Sequence, residues 1–217
     1  MHSRRIAGFT AGPPFIGAGS SGFYMPPRTG PKDGGDVLPY VKVVSYDPRW
    51  PTIYQVEKQR ILMLVGSLIV GIEHFGSTSI PRMCAKPVID ILCGLRKWEQ
   101  STYVRTILAR LDYQYIAGLE EDWAILGRTG SPAFRLHLVP YGTFRWYGFL
   151  ALRNYIGSNP RVASEYCRRK KHLAVTHRSD RISYSQGKRD FLDNLEDLAR
   201  ANILASRLVS RQDPLIL

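Results

Sequence analysis

The chain has 217 residues, with 30 Lys and Arg against 18 Asp and Glu, a formal charge of +12. Apolar residues at 44% and aromatics at 11% suffice for a real core, which excludes a wholly disordered chain, and no run nears the roughly 18 consecutive apolar residues of a spanning helix. The expectation is one soluble, cytoplasmic domain whose charge suits an anionic small molecule such as a nucleotide, or an RNA, and not a membrane.

Residues 1–40 are dense in Gly and Pro and read as a disordered tail. Gly17-Ala-Gly19-Ser-Ser-Gly22 fits the dinucleotide fingerprint, but no strand precedes it and no helix follows, so no phosphate-binding helix end is expected there. Order is expected from residue 41 to about 210. Val41 to Tyr46 is β-branched and ends at the turn signal Asp47-Pro48. A helix follows, with Pro51 in its first turn and Ile53, Val56, Ile61, Leu64 and Val65 on a stripe. Strands are predicted at Gly71 to Phe75 and Val88 to Leu92, then a helix at about Trp98 to Leu111. Further strands are predicted around Tyr113 to Ile116, Trp123 to Leu126 and Phe134 to Val139. From Tyr147 onward the pattern is helical, in three segments broken near Gly157 to Pro160 and Thr176 to Asp180. This order predicts an α+β domain: a mixed sheet with flanking helices and a helical C-terminal subregion.

Cys84, Cys93 and Cys167 are odd in number and lack C-x-x-C spacing, so reduced, packed thiols are expected. His172 and His177 lie in a basic region with no ligand pattern and read as surface histidines. Arg168-Arg-Lys-Lys171 is a dense cationic run near Tyr166 that offers a grip on phosphate.

The most informative stretch is Ile72-Glu-His-Phe-Gly-Ser-Thr-Ser-Ile-Pro81 followed by Lys86-Pro-Val-Ile-Asp-Ile91. A strand that turns sharply at Gly76-Ser77 presents backbone N–H groups and the hydroxyls of Ser77, Thr78 and Ser79, the makings of a phosphate cradle. Asp90 sits between Ile89 and Ile91, where a lone carboxylate is costly unless paired, hydrogen-bonded or holding a metal. Lys86, just ahead of that strand, offers a pairing charge or a phosphate contact.

These residues resemble the signature of the GrpB family, E-H-x-G-S-T-S-x-P followed by A-K-P-x-x-D-I. The likeness continues through Tyr46-Asp-Pro-Arg-Trp-Pro51, Leu136-His-Leu138, Arg153-Asn-Tyr155, Asn159-Pro160, Tyr166, Lys171, Tyr184, Lys188 and Phe191. The resemblance implies a nucleotidyltransferase-like fold and a transferase acting on a nucleotide or another phosphorylated or activated substrate. In that superfamily Gly-Ser precedes Asp-x-Asp or Asp-x-Glu, and carboxylates hold Mg²⁺. The roles it implies are Asp90, His137 and Lys86 as catalytic groups; Gly76, Ser77, Thr78, Ser79, Arg82 and Arg135 around phosphate; and Asp90 with Glu73 as metal ligands. His74, Arg153, Lys171 and Lys188 stand nearby as supporting residues. This chain departs from the pattern at Leu92, where a second carboxylate belongs, and alternation sets Leu92 on the Asp90 face. It departs again at Arg82, where the family usually has Gly, and at Asn154, where it usually has Asp. The alternative reading is a noncatalytic nucleotide- or RNA-binding protein that has lost the two-metal site.

Overall fold

A computed structural model describes residues 40–120 and 122–210. The proposed tail and the Gly17 to Gly22 motif lie outside the described residues. Helix α1 (Trp50–Val65) starts with Pro51 in its first turn, where proline's missing N–H costs nothing. It leads into strand β1 (Ile69–Phe75), a turn at Ser77–Ser79, and strand β2 (Val88–Leu95). Helix α2 (Ser101–Leu108) crosses to strands β3 (Gln114–Glu120), β4 (Trp123–Arg128) and β5 (Ala133–Pro140). Four helices complete the described chain: α3 (Phe144–Ser158), α4 (Pro160–Thr176), α5 (Arg181–Gln186) and α6 (Arg189–Ser210).

The five strands form one mixed sheet in the order β1-β2-β5-β4-β3. Only the central pair β2 and β5 runs parallel; the other pairs are antiparallel. Strand alternation gives the sheet two unlike faces. On one face Ile89, Ile91, Leu136 and Leu138 pack under Trp50, Tyr54, Ile61 and Val65 of α1 and Val104 and Leu108 of α2. On the other, Phe75, Leu92, Trp123, Ile125 and Val139 pack against Trp146 and Phe149 of α3. Asp90, Arg135 and His137 belong to this second face, beyond the aromatic cluster.

Three expectations need correction. The run Val41 to Tyr46 forms no strand: Val44 makes a single antiparallel bridge to Ala85, while Val41 donates its N–H to the Arg178 carbonyl and packs with Leu173 and Tyr184. β-propensity there serves packing instead of a ladder. The helix at 98–111 is one α-helical stretch between two tight turns, and the C-terminal part holds four helices, since α5 ends at Gly187. Cys84 and Cys167 are joined in a disulfide; the buried Cys93 is a free thiol, as expected. The bonded pair are 83 residues apart, so local spacing carried no sign of a bond made by folding α4 over the loop before β2.

Candidate functional site

The site grows from the parallel pairing of β2 with β5, which sets Asp90 beside Arg135 and Leu92 beside His137. Arg135 Nη1 and His137 Nε2 stand 3.9 and 4.0 Å from Asp90 Oδ1. Gly76 closes the other side with φ +69°, and a Cβ on it would lie 2.5 Å from Asp90 Oδ2. Glycine is therefore required twice over, by backbone conformation and by the carboxylate packed on it. The Asp90 carboxylate packs directly on the turn whose backbone was expected to cradle a phosphate.

The turn after β1 divides its hydroxyls between frame and cleft. Thr78 is buried, donates to the Val88 carbonyl at 3.2 Å, and accepts from His74 Nε2 at 3.0 Å. Ser79 donates to the Gly76 carbonyl at 2.7 Å. These two hold the turn's shape. Ser77 faces the cleft instead, with Lys170 Nζ 2.9 Å from its Oγ and the Tyr166 hydroxyl also bonded to it. Lys170 donates besides to the Cys84 carbonyl, just ahead of β2. Burial pulls its ammonium down to about 7, with Asp90 opposing the shift.

A cavity of about 180 Å³ opens over this group. Among the described residues six cationic side chains line it, Lys86, Arg135, Arg153, Lys170, Lys188 and Arg189, against the carboxylates Asp90, Asp193 and Glu196. Burial, then repulsion from Lys86, Lys170 and Arg135, holds the Lys188 ammonium well below the ordinary lysine range. Lys86 and Lys188 share the Tyr184 ring, 5.4 and 4.3 Å from its centroid, and Lys170 lies 4.4 Å from the centre of Tyr166. Phe75, Phe149, Leu152, Ile156 and Leu192 supply an apolar wall. Cations on one side and an apolar wall on the other suit an amphipathic anion.

Other expected residues fall elsewhere. Glu73 lies on the Asp90 face but is held by Arg153, whose Nη1 also donates to the His74 carbonyl, at 3.1 and 2.8 Å. His74 points to the opposite face, stacked on Tyr54, and burial with the Arg153 charge lowers it to about 4. Arg82 is exposed at φ +64°, a backbone conformation that glycine adopts without strain. Lys171 is exposed on α4, and its neighbour Lys170 turns inward because it shares a helical face with Tyr166 and Leu173. That i, i+4, i+7 spacing was the sequence signal for Lys170.

Two observations set the donor set at odds with a two-metal centre. Leu92 is fully buried where the second carboxylate belongs. The Trp123 indole donates to His137 Nδ1 at 3.1 Å. Indole N–H only donates, so Nδ1 accepts and the neutral ring carries its proton on Nε2, toward Asp90. In that tautomer Nε2 has no lone pair for a metal. Among the described residues, no group of three or more His, Cys, Asp and Glu gathers to hold one. The residues do not fit a two-Mg²⁺ site. No described helix is long and apolar enough to cross a membrane.

The family model described as GrpB protein matches residues 40–197. The protein YqkA of Bacillus subtilis is 30% identical over 74% of this chain, which spans only 47% of that protein. The glutamate-rich protein GrpB of Alkalihalophilus pseudofirmus is 28% identical, over 71% of this chain and 93% of its own length. The crystal structure of the conserved protein GrpB from Enterococcus faecalis superposes with a TM-score of 0.68 at 28% identity, covering 75% of this chain and 99% of that one.

Proposed function

The chain belongs to the GrpB family, and from that premise we propose that it binds a nucleotide or another phosphorylated small molecule in the cleft over Asp90 and Ser77, without a two-metal centre. The observation that carries this reading is the gathering of Lys86, Lys170, Lys188 and Arg135 about Asp90 in one cavity. Cations gathered in one cavity repel one another, and a phosphate oxyanion relieves the repulsion while gaining charge-assisted hydrogen bonds. The hydroxyls of Ser77 and Tyr166 add neutral donors at the same end. The apolar wall accommodates the rest of the ligand.

The test is thermal denaturation with ATP, inorganic pyrophosphate or transfer RNA, each in Mg²⁺ and in a chelator. A ligand at 100 times its Kd stabilises by about 2.7 kcal/mol, roughly 5–10 °C for a chain of this size. The expected result is stabilisation by ATP or pyrophosphate that persists in chelator and survives Asp90→Asn, which removes an anion from the cleft. Stabilisation that demands both Mg²⁺ and Asp90 would restore the two-metal transferase. Stabilisation by transfer RNA alone would favour the RNA-binding reading, to which the exposed Arg168, Lys171 and His172 of α4 are suited. A transferase remains the second reading, favoured by the contact between Ser77 and Lys170.

A further inference from the structure

We propose that Ser77, Lys170 and Tyr166 form a metal-independent acyl-transfer site within the cleft, acting on an ester or thioester whose leaving group is anionic; the substrate class rests on the anion-binding reading above. A nucleophilic serine needs a base within hydrogen-bond reach, something to aim that base, and room for the electrophile. Lys170 Nζ is 2.9 Å from Ser77 Oγ, and the Cys84 carbonyl holds it from the other side. An amine that donates to that carbonyl keeps its lone pair for the Ser77 hydroxyl proton. Tyr166, whose phenol burial keeps protonated, is hydrogen-bonded to the Ser77 hydroxyl and completes the group. All three side chains line the same cavity.

A lysine serves as a base only where its ammonium is destabilised, and Lys170 is drawn down to about 7 by burial. The charged groups that bear on it are Asp90 of β2, which favours its protonated form, and Lys188 at the head of α6, which opposes it. The step balances without a metal or redox partner. Ser77 Oγ bonds to the carbonyl carbon as its proton passes to Lys170. The carbon–oxygen or carbon–sulfur bond to the leaving group breaks, and that group departs with the proton. Water then attacks the acyl-serine, Lys170 takes a proton from it, and the proton returns to Ser77 Oγ as the acid leaves.

The experiment treats the full chain with a fluorophosphonate probe and with p-nitrophenyl acetate, and locates any adduct by peptide mass spectrometry. The expected adduct is on Ser77. It is absent in Ser77→Ala, slowed about 100-fold in Lys170→Met, and in wild type its rate climbs with pH through about 7. No adduct on Ser77, or one formed at a rate independent of pH across 6–8, overturns the proposal, and the pH series needs no variant to fold. Thermal stabilisation by pyrophosphate is read on the same samples and on Ser77→Ala. Stabilisation without labelling defeats the acyl-transfer site and leaves anion binding standing; labelling without stabilisation defeats the anionic leaving group.

Discussion

At the scale of single residues, the cleft depends on a few positions where geometry leaves no substitute. Gly76→Ala forces a Cβ into the Asp90 carboxylate at a positive φ, and a loss of about 1–3 kcal/mol in a urea denaturation series is expected. Arg82→Gly runs the other way. It relieves an exposed left-handed arginine, and a gain of up to about 1 kcal/mol with unchanged ligand binding is expected. Trp123 controls His137 through one hydrogen bond. Nitrogen NMR of the wild-type ring is expected to show the Nε2–H tautomer, and Trp123→Phe to release it. Asp90 was legible in the sequence because a carboxylate between two isoleucines demands an explanation. The tautomer of His137 was not legible, because its partner arrives from β4 through a sheet register that local sequence does not state.

At the scale of elements, the five strands were readable as short apolar runs between turn signals, and their two faces from alternation, whereas the β-branched run Val41 to Tyr46 formed no strand. α4 shows where such reading stopped. The cationic run at 168–171 was visible as charge, but which lysine turns inward depends on helical phase, set by Tyr166 and Leu173. The disulfide locks that phase in place, since Cys167 lies beside Tyr166 and Cys84 supplies the carbonyl that Lys170 grips. Its removal, by reductant or by Cys84→Ser, is expected to cost about 2–4 kcal/mol and to weaken pyrophosphate binding, measured by denaturation and calorimetry in paired oxidised and reduced samples. An equal affinity in both states would show that α4 is held by packing alone.

At the scale of the whole molecule, part of a formal charge of +12 acquires a location, since among the described residues six Lys and Arg against three carboxylates line one cavity. That convergence has a pH signature. Lys170 has a lower pKa in the folded state, about 7, than its ordinary 10.5, so between those values the unfolded chain holds the extra proton. Its contribution to stability is fully present above pH 10.5 and is lost as pH falls toward 7. Lys188 acts in the same direction. His74 adds a contribution that is present above 6.5 and lost as pH falls through about 4. The melting temperature of wild type is therefore expected to gain on that of Lys170→Met between pH 7 and 9, while anion affinity falls over the same range as the ammonium is lost. A constant difference between the two proteins across that range would remove Lys170 from the account.

The parallel pairing of β2 with β5 has a consequence in time. Residues 96–132, with α2 and the β3–β4 pair among them, intervene between the two strands that carry Asp90 and Arg135. Closing so long a segment costs chain entropy before any central contact repays it, so the cleft belongs to the late stages of folding. A ligand that recognises the finished cleft then has nothing to hold in the transition state. In stopped-flow experiments it should slow unfolding in proportion to its affinity and leave the refolding rate untouched.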